Sequence, residues 1–204
     1  MSGYVGVNLR DILLDEMLGE KFAKELLSTF SCPLNPDVEY FLRHTAIEFA
    51  KQSIANTYLI MASYKEKYVL VGYFTLANKF FVMDKSSVPN RKWRSRLAKF
   101  AYFDTTINKY LITAPLIGQL GKNYTNSYNE LITGDELLKL ALDKVVEMQR
   151  IVGGKIVYLE CEQKERLISF YERNGFVNFG TRLLDKEEVS KLSGKSLVQM
   201  LRYM

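Results

Sequence analysis

Tyr171 is the side chain whose setting points most directly to chemistry. It lies within Leu167–Phe176, LISFYERNGF, four residues before Gly175 and shortly after the apolar run Ile156–Cys161. That order reads as a buried strand, a short helix with a glycine exit and a further strand. A phenol on such a helix can face a cleft opened beside the preceding strand. With an ordinary pKa of about 10 it is protonated at neutral pH and ready to act as a general acid. The competing reading packs the ring in the core with its hydroxyl hydrogen-bonded.

A second feature could share that cleft. Residues Gly121–Gly134 are polar and irregular and lead into a helix over Asp135–Ile151. A helix N-terminus offers unpaired N–H groups and the positive end of a dipole, which suits a phosphate or pyrophosphate. Thr133 and Glu136 have capping-box spacing and define this end, although Asp135 and Glu136 repel a phosphate unless they point away. If the strands over 112–121 and 156–161 are parallel neighbours that splay apart, the loop and the helix of Tyr171 border one groove. Glu160 or Glu162, at the end of the central strand, is a candidate general base, directly or through water. A solvated or structural role is the alternative for either.

The elements that must position these groups follow from the pattern of apolar residues. Periodicity predicts a helix over 11–28, a break at Ser31–Pro36 and a second helix opened by Pro36 and Asp37, which carries His44 as an ordinary polar residue. Thr57–Met61 and Tyr68–Ala77 read as an antiparallel hairpin. A long polar connection over 84–109 holds a helix at Arg91–Ala101. Then come a strand at Tyr110–Leu120, the helix over Asp135–Ile151 ended by Gly153 and Gly154, and the strand Ile156–Cys161. The helix Lys164–Arg173, a strand Phe176–Leu184, a short helix Asp185–Leu192 and a final strand Leu197–Tyr203 complete the order, and residues 5–8 add a first strand. The class is therefore α/β, with a mixed sheet and helices on its faces. A single domain over 1–204 is expected.

Composition narrows the function classes. At 204 residues, with 48% hydrophobic and 25% charged side chains, the chain reads as a globular protein with a sizeable core. No apolar run approaches the roughly 20 residues of a membrane helix. The start, MSGYVGVNLRDILLDE, lacks the basic and apolar regions of a signal peptide, so a cytoplasmic protein is expected. Cys32 and Cys161 read as buried thiols of a reducing compartment, and the single histidine with no CxxC argues against a metal site. Residues 84–113 carry seven basic side chains against two acids, which equals the whole excess of +5. Around Trp93 such a cluster suits RNA, a phosphorylated cofactor or another acidic partner; a solvated amphipathic helix is the plainer reading.

Residues 116–176 resemble the acetyl-CoA core of the GNAT superfamily of N-acetyltransferases. The matching pieces are LIGQLGK at 116–122, ITGDELL at 132–138, IVYLECE at 156–162 and FYERNGF at 170–176, the last being similar to the family's Tyr-Glu-Lys-x-Gly-Phe signature. Residues 36–77 resemble the family's second helix and hairpin, and about 78–113 forms a basic insertion. The resemblance implies a GNAT-like, largely antiparallel mixed sheet with a splayed parallel strand pair and helices on both faces. It implies acetyl transfer from acetyl-CoA to a primary amine. Leu120, Gly121 and Lys122 would offer backbone groups to the pantetheine arm. Asn129, Glu130, Leu131, Ile132, Thr133, Gly134 and Asp135 would wrap the pyrophosphate. Tyr171 would protonate the departing thiolate, with Glu160 as the candidate base.

Two departures stand out. The family's phosphate loop usually reads Gln/Arg-x-x-Gly-x-Gly/Ala, and of its glycines only Gly134 is present here. The asparagine often found seven residues before the tyrosine is Lys164. Three functions follow as alternatives. One is acetylation of an unidentified amine acceptor. ANTYLIM and GYFTLA, similar to the toxin-like branch that acetylates the amino acid on charged tRNA, point to a second. An interaction module that binds CoA poorly is the third. A homodimer is left open.

Overall fold

The computed structural model describes residues 3–185 and 195–204. The helix expected over Asp185–Leu192 falls outside the described residues for most of its length. Contacts divide the chain into two compact units. Unit 1 is Met1–Ala77 with Gly118–Asp143, and unit 2 is Asn78–Ile117 with Lys144–Met204.

Unit 1 begins with strand β1 (Tyr4–Asn8) and helices α1 (Leu9–Leu14) and α2 (Gly19–Ser28). The periodicity of 11–28 predicts one helix there, and the structure breaks it in two. The Asp15 carboxylate accepts the N–H groups of Met17 at 2.8 Å and Leu18 at 2.9 Å, and Gly19 takes a φ of +61°. An aspartate that captures amides ahead of it builds a turn in place of helix, and glycine adopts the left-handed geometry without a Cβ penalty. Next come α3 (Pro36–Tyr40), a π-turn at Phe41–Thr45 and α4 (Ala46–Lys51). The Asn35 side chain caps α3, with Pro36 at its first position.

The hairpin follows as β2 (Asn56–Tyr64) and β3 (Lys67–Asp84), and β3 runs on into unit 2. Strand β5 (Lys109–Lys122) passes the other way, and in unit 1 the strand order is β1-β2-β3-β5. Neighbouring residues of β3 face opposite sides, as strand geometry requires. The Tyr73 hydroxyl donates to the Val38 carbonyl of α3 at 2.6 Å, within a core that includes Leu9, Leu27, Phe30, Leu42 and Leu59. On the other side, a Cβ at Gly72 would lie 3.2 Å from Leu137, in helix α6 (Gly134–Val152), and 2.9 Å from the Gly121 carbonyl. Helices therefore cover both faces. Gly121 must also be glycine, because a Cβ there would meet Val38 at 2.3 Å.

Unit 2 holds the end of β3, α5 (Arg91–Phe100), β4 (Ala101–Asp104), most of β5, β6 (Ile156–Glu162), α7 (Glu165–Arg173), β7 (Val177–Leu183) and β8 (Ser196–Tyr203). Its strand order is β3-β5-β6-β8-β7, with β4 also pairing β5. The strand expected to end at Ala77 runs on to Asp84: Phe81 and Met83 are buried while Phe80 and Val82 are exposed, a period of two that the neighbouring lysines obscure. The central strand β6 pairs β8 antiparallel and β5 in parallel, through Leu116↔Tyr158 and Ile117↔Leu159. The core gathers Phe81, Leu97, Ile112, Tyr158, Phe179 and Leu201. The expected α/β class, with a mixed and largely antiparallel sheet containing a parallel pair, is present.

Candidate active site

In unit 2, β6 delivers the chain to α7, and α7 ends in a closed motif around Tyr171. Gly175, at a φ of +81°, donates its N–H to the Glu172 carbonyl at 2.9 Å, and Phe176 donates to the Tyr171 carbonyl at 3.1 Å. This is the Schellman arrangement, in which the residue after a left-handed glycine bonds back across the last turn. It brings the Phe176 ring edge-on to the Tyr171 ring, with centroids 5.7 Å apart, and Phe170 flanks the same ring at 4.9 Å. Arg202 of β8 donates to the Asn174 carbonyl at 2.8 Å and anchors the exit.

Tyr171 is 9% exposed. Among the described residues no hydrogen-bond partner is recorded for its hydroxyl, so its ring is packed and its proton is not committed to the core. Burial pushes the phenol well above its ordinary value, with the neighbouring Cys161 thiol adding to the shift. The group therefore stays protonated across the physiological range.

Glu160 is held differently. Its Oε2 accepts the Arg182 Nε at 2.6 Å and its Oε1 accepts the Gln199 Nε2 at 2.8 Å. Both carboxylate oxygens are engaged. Glu162, which is buried, pairs with the Lys164 ammonium at 2.7 Å. Neither carboxylate stands open as a proton acceptor.

In unit 1, Leu120, Gly121 and Lys122 form the last residues of β5, and a 3₁₀ turn spans Thr125–Leu131. Within that turn Asn126 and Ser127 lie in the left-handed region, at φ of 49° and 59°. Buried Asn123 fixes the turn's start: its Oδ1 accepts the N–H groups of Ser31 at 3.0 Å and Thr125 at 3.1 Å, and its Nδ2 donates to the Leu70 carbonyl at 2.8 Å. At the other end Lys122 donates from Nζ to the carbonyls of Asn129 at 2.8 Å and Ile132 at 3.1 Å. The Tyr4 hydroxyl donates to the Leu131 carbonyl at 2.8 Å.

The capping box read from the sequence is formed. Glu136 donates its N–H to Thr133 Oγ1 at 3.1 Å, and its carboxylate accepts the Thr133 N–H at 2.8 Å. The Thr133 amide is therefore taken, and its hydrogen bond holds the Glu136 carboxyl below its usual range. Among the described residues no acceptor is recorded for the N–H of Ile132 or of Gly134. The Ile132 side chain is buried at 1% exposure, so at this position the loop offers its backbone and not its bulk. These two amides fit an anion, and a glycine is not needed at 132 for them to do so.

A separate concavity of about 240 Å³ in unit 1 is lined by Cys32, Glu39, Tyr40, Arg43 and His44 among others, and holds none of the expected site residues. The His44 ring lies against the Tyr40 ring, tilted by 40° with centroids 4.8 Å apart. Among the described residues no cluster of His, Cys, Asp or Glu is placed to hold a metal, and no helix is long and apolar enough to cross a membrane. Sequence reasoning missed Asn123 and Tyr4, whose partners lie as far as 92 and 127 residues away along the chain. No local signal marks either.

No family model matches this chain, and no curated protein matches it. Solved structures do. AtaT complexed with acetyl-methionyl-tRNAfMet is 17% identical, with a TM-score of 0.61, over 96% of this chain and 93% of that one. A tyrosine-to-phenylalanine mutant of KacT is 16% identical, with a TM-score of 0.61, over 97% and 94%. A tyrosine-to-phenylalanine mutant of the toxin AtaT, bound to the C-terminus of the antitoxin AtaR and acetyl-CoA, is 15% identical, with a TM-score of 0.59, over 98% and 93%. The chain has the fold of these proteins, the GNAT fold that residues 116–176 resemble.

Proposed function

We propose that this protein is an N-acetyltransferase that moves the acetyl group of acetyl-CoA to the amino group of an aminoacyl-tRNA. The observation that carries the reading is the likeness over 96% of the chain to a structure containing acetyl-methionyl-tRNA. The residues fit the donor: among the described residues the N–H groups of Ile132 and Gly134 meet no acceptor, and Lys122 brings a cation to the same loop. Bound acetyl-CoA supplies the activated acetyl group as a thioester. Leu120 and Gly121 offer backbone groups to its pantetheine arm, and within Asn129–Asp135 the amides of Ile132 and Gly134 hold its pyrophosphate.

Tyr171 supplies the proton. As the amine nitrogen bonds to the acetyl carbon and the carbon–sulfur bond breaks, Tyr171 donates to the departing sulfur. The amine gives up one proton to water, and Tyr171 recovers one from solvent. An α-amino group has a pKa near 8, so a useful fraction is neutral at working pH without a protein base. That matches the engaged carboxylate of Glu160, which we assign to holding Arg182 and Gln199 in place, with any base role acting through water.

The acceptor reading draws support from α5. Arg91, Lys92, Arg94 and Lys99 are exposed, the helix has no acid, and among the described residues no ion pair is recorded for the four. Trp93 and Leu97 are buried beneath them. Such a face suits an RNA backbone. The cytoplasm, where charged tRNA and acetyl-CoA meet, is the compartment this function requires.

The test is transfer of radiolabelled acetyl from acetyl-CoA to a charged tRNA pool. Label recovered on the aminoacyl group supports the reading. Labelling of peptides or polyamines but not of charged tRNA overturns the acceptor. A melting temperature unmoved by millimolar acetyl-CoA overturns the donor and favours a non-catalytic interaction module.

A further inference from the structure

We infer that side-chain tethers from Lys122 and Tyr4 replace the missing glycines of the pyrophosphate loop and set its amides toward the CoA pyrophosphate. The inference rests on acetyl-CoA being the donor.

A peptide unit is planar, so the carbonyl of one residue and the N–H of the next point in opposite directions. Fixing a carbonyl therefore aims an amide. Lys122 Nζ holds the Asn129 carbonyl at 2.8 Å, which sends the Glu130 N–H away from the lysine. Tyr4 Oη holds the Leu131 carbonyl at 2.8 Å, which sends the Ile132 N–H away from the tyrosine. Lys122 also holds the Ile132 carbonyl at 3.1 Å, which turns the Thr133 N–H to the Glu136 carboxylate that accepts it. Three peptide planes are thus set by two side chains, and the Ile132 N–H is aimed with no acceptor for it among the described residues.

A glycine-rich loop reaches such a conformation through backbone freedom. Here the loop reaches it with Gly134 alone, and it carries left-handed Asn126 and Ser127. Conformations of that kind persist only where the surroundings over-determine them. The tethers, with buried Asn123 at the loop's start and buried Ile132 at its end, are what over-determines this one. The Lys122 ammonium also sets a positive charge beside the loop, against the negative charges of Asp135 and Glu136.

The experiment measures binding of acetyl-CoA and of acetyl-pantetheine, which lacks the pyrophosphate, to wild-type protein, Lys122→Met and Tyr4→Phe, with melting temperatures in parallel. Tyr4→Phe removes one partly exposed hydroxyl and guards against a folding failure of the lysine variant. Both variants should weaken acetyl-CoA binding by about tenfold, the scale of one well-placed hydrogen bond, and leave acetyl-pantetheine binding unchanged. Equal losses for both ligands, or unchanged binding of both, overturn the tether role. Wild-type protein that binds neither ligand overturns the donor reading together with this inference.

Discussion

Phe176 donates its N–H to the Tyr171 carbonyl across 3.1 Å, and the two rings meet edge-on with centroids 5.7 Å apart. The candidate acid is thus the third-last helical residue of α7 and part of the motif that ends it. The signature FYERNGF encodes a cap and a tyrosine together. Its glycine is required by conformation, since a Cβ at Gly175 would find its nearest neighbour at an ordinary 3.6 Å while φ is +81°. Gly175→Ala should therefore cost about 1–2 kcal/mol through left-handed strain. Urea denaturation measures it, and turnover should fall as Tyr171 loses its clamp. An unchanged unfolding midpoint would contradict the role given to the glycine.

Tyr171→Phe keeps the ring contacts and removes only the hydroxyl, for which no structural hydrogen bond is recorded among the described residues. Stability should stay within about 1 kcal/mol, while turnover drops by roughly 10²-fold or more, the usual worth of a general acid. Steady-state kinetics beside a thermal melt reads both. Wild-type turnover in the variant excludes Tyr171 as the proton donor.

Glu160→Gln separates a base from a brace. The substitution keeps the shape but weakens the ion pair to Arg182, whose Nε sits 2.6 Å from the carboxylate. Turnover should fall by less than about tenfold, far short of the loss expected for a general base. A loss of roughly 10³-fold with an unchanged melting temperature would restore the base assignment.

Charge removal on α5 tests the acceptor. Replacing Arg91, Lys92, Arg94 and Lys99 by alanine should weaken tRNA binding and flatten its dependence on salt by roughly 0.7–0.9 in log–log slope for each lost phosphate contact. Binding measured from low to moderate salt gives the slope. An identical slope in the variant would place the RNA elsewhere.

Stability should also fall at high pH. Burial raises the phenols of Tyr73, Tyr158 and Tyr171 above the ordinary value. In the unfolded chain each ionises near pH 10, while in the folded chain each keeps its proton. The unfolded state then binds fewer protons, so unfolding free energy declines as pH rises past about 10, by up to about 1.4 kcal/mol per pH unit for each phenol. Urea midpoints between pH 8 and 11 report this; a flat profile would show that the phenols titrate alike in both states.

What was legible in the sequence was local. The Schellman exit at Tyr171 spans six residues, the Thr133–Glu136 box four, and the hairpin its own two strands, so each is written in neighbouring letters. Features that depend on distant partners were not. The break between α1 and α2 turns on Asp15 capturing amides where an apolar stripe continues through. The extension of β3 hides because Phe80 and Val82 face outward beside basic residues. The loop at 125–135 reads as a degraded glycine motif until Tyr4, Lys122 and Asn123 are seen around it, and two of those three reach across most of unit 1's sequence.

The Tyr4 bond to Leu131 makes β1 a support of the loop and not merely the sheet's first edge. Pulling or crowding β1 would be felt at Leu131, and a preparation compromised in this way would look like a poor enzyme while folding well.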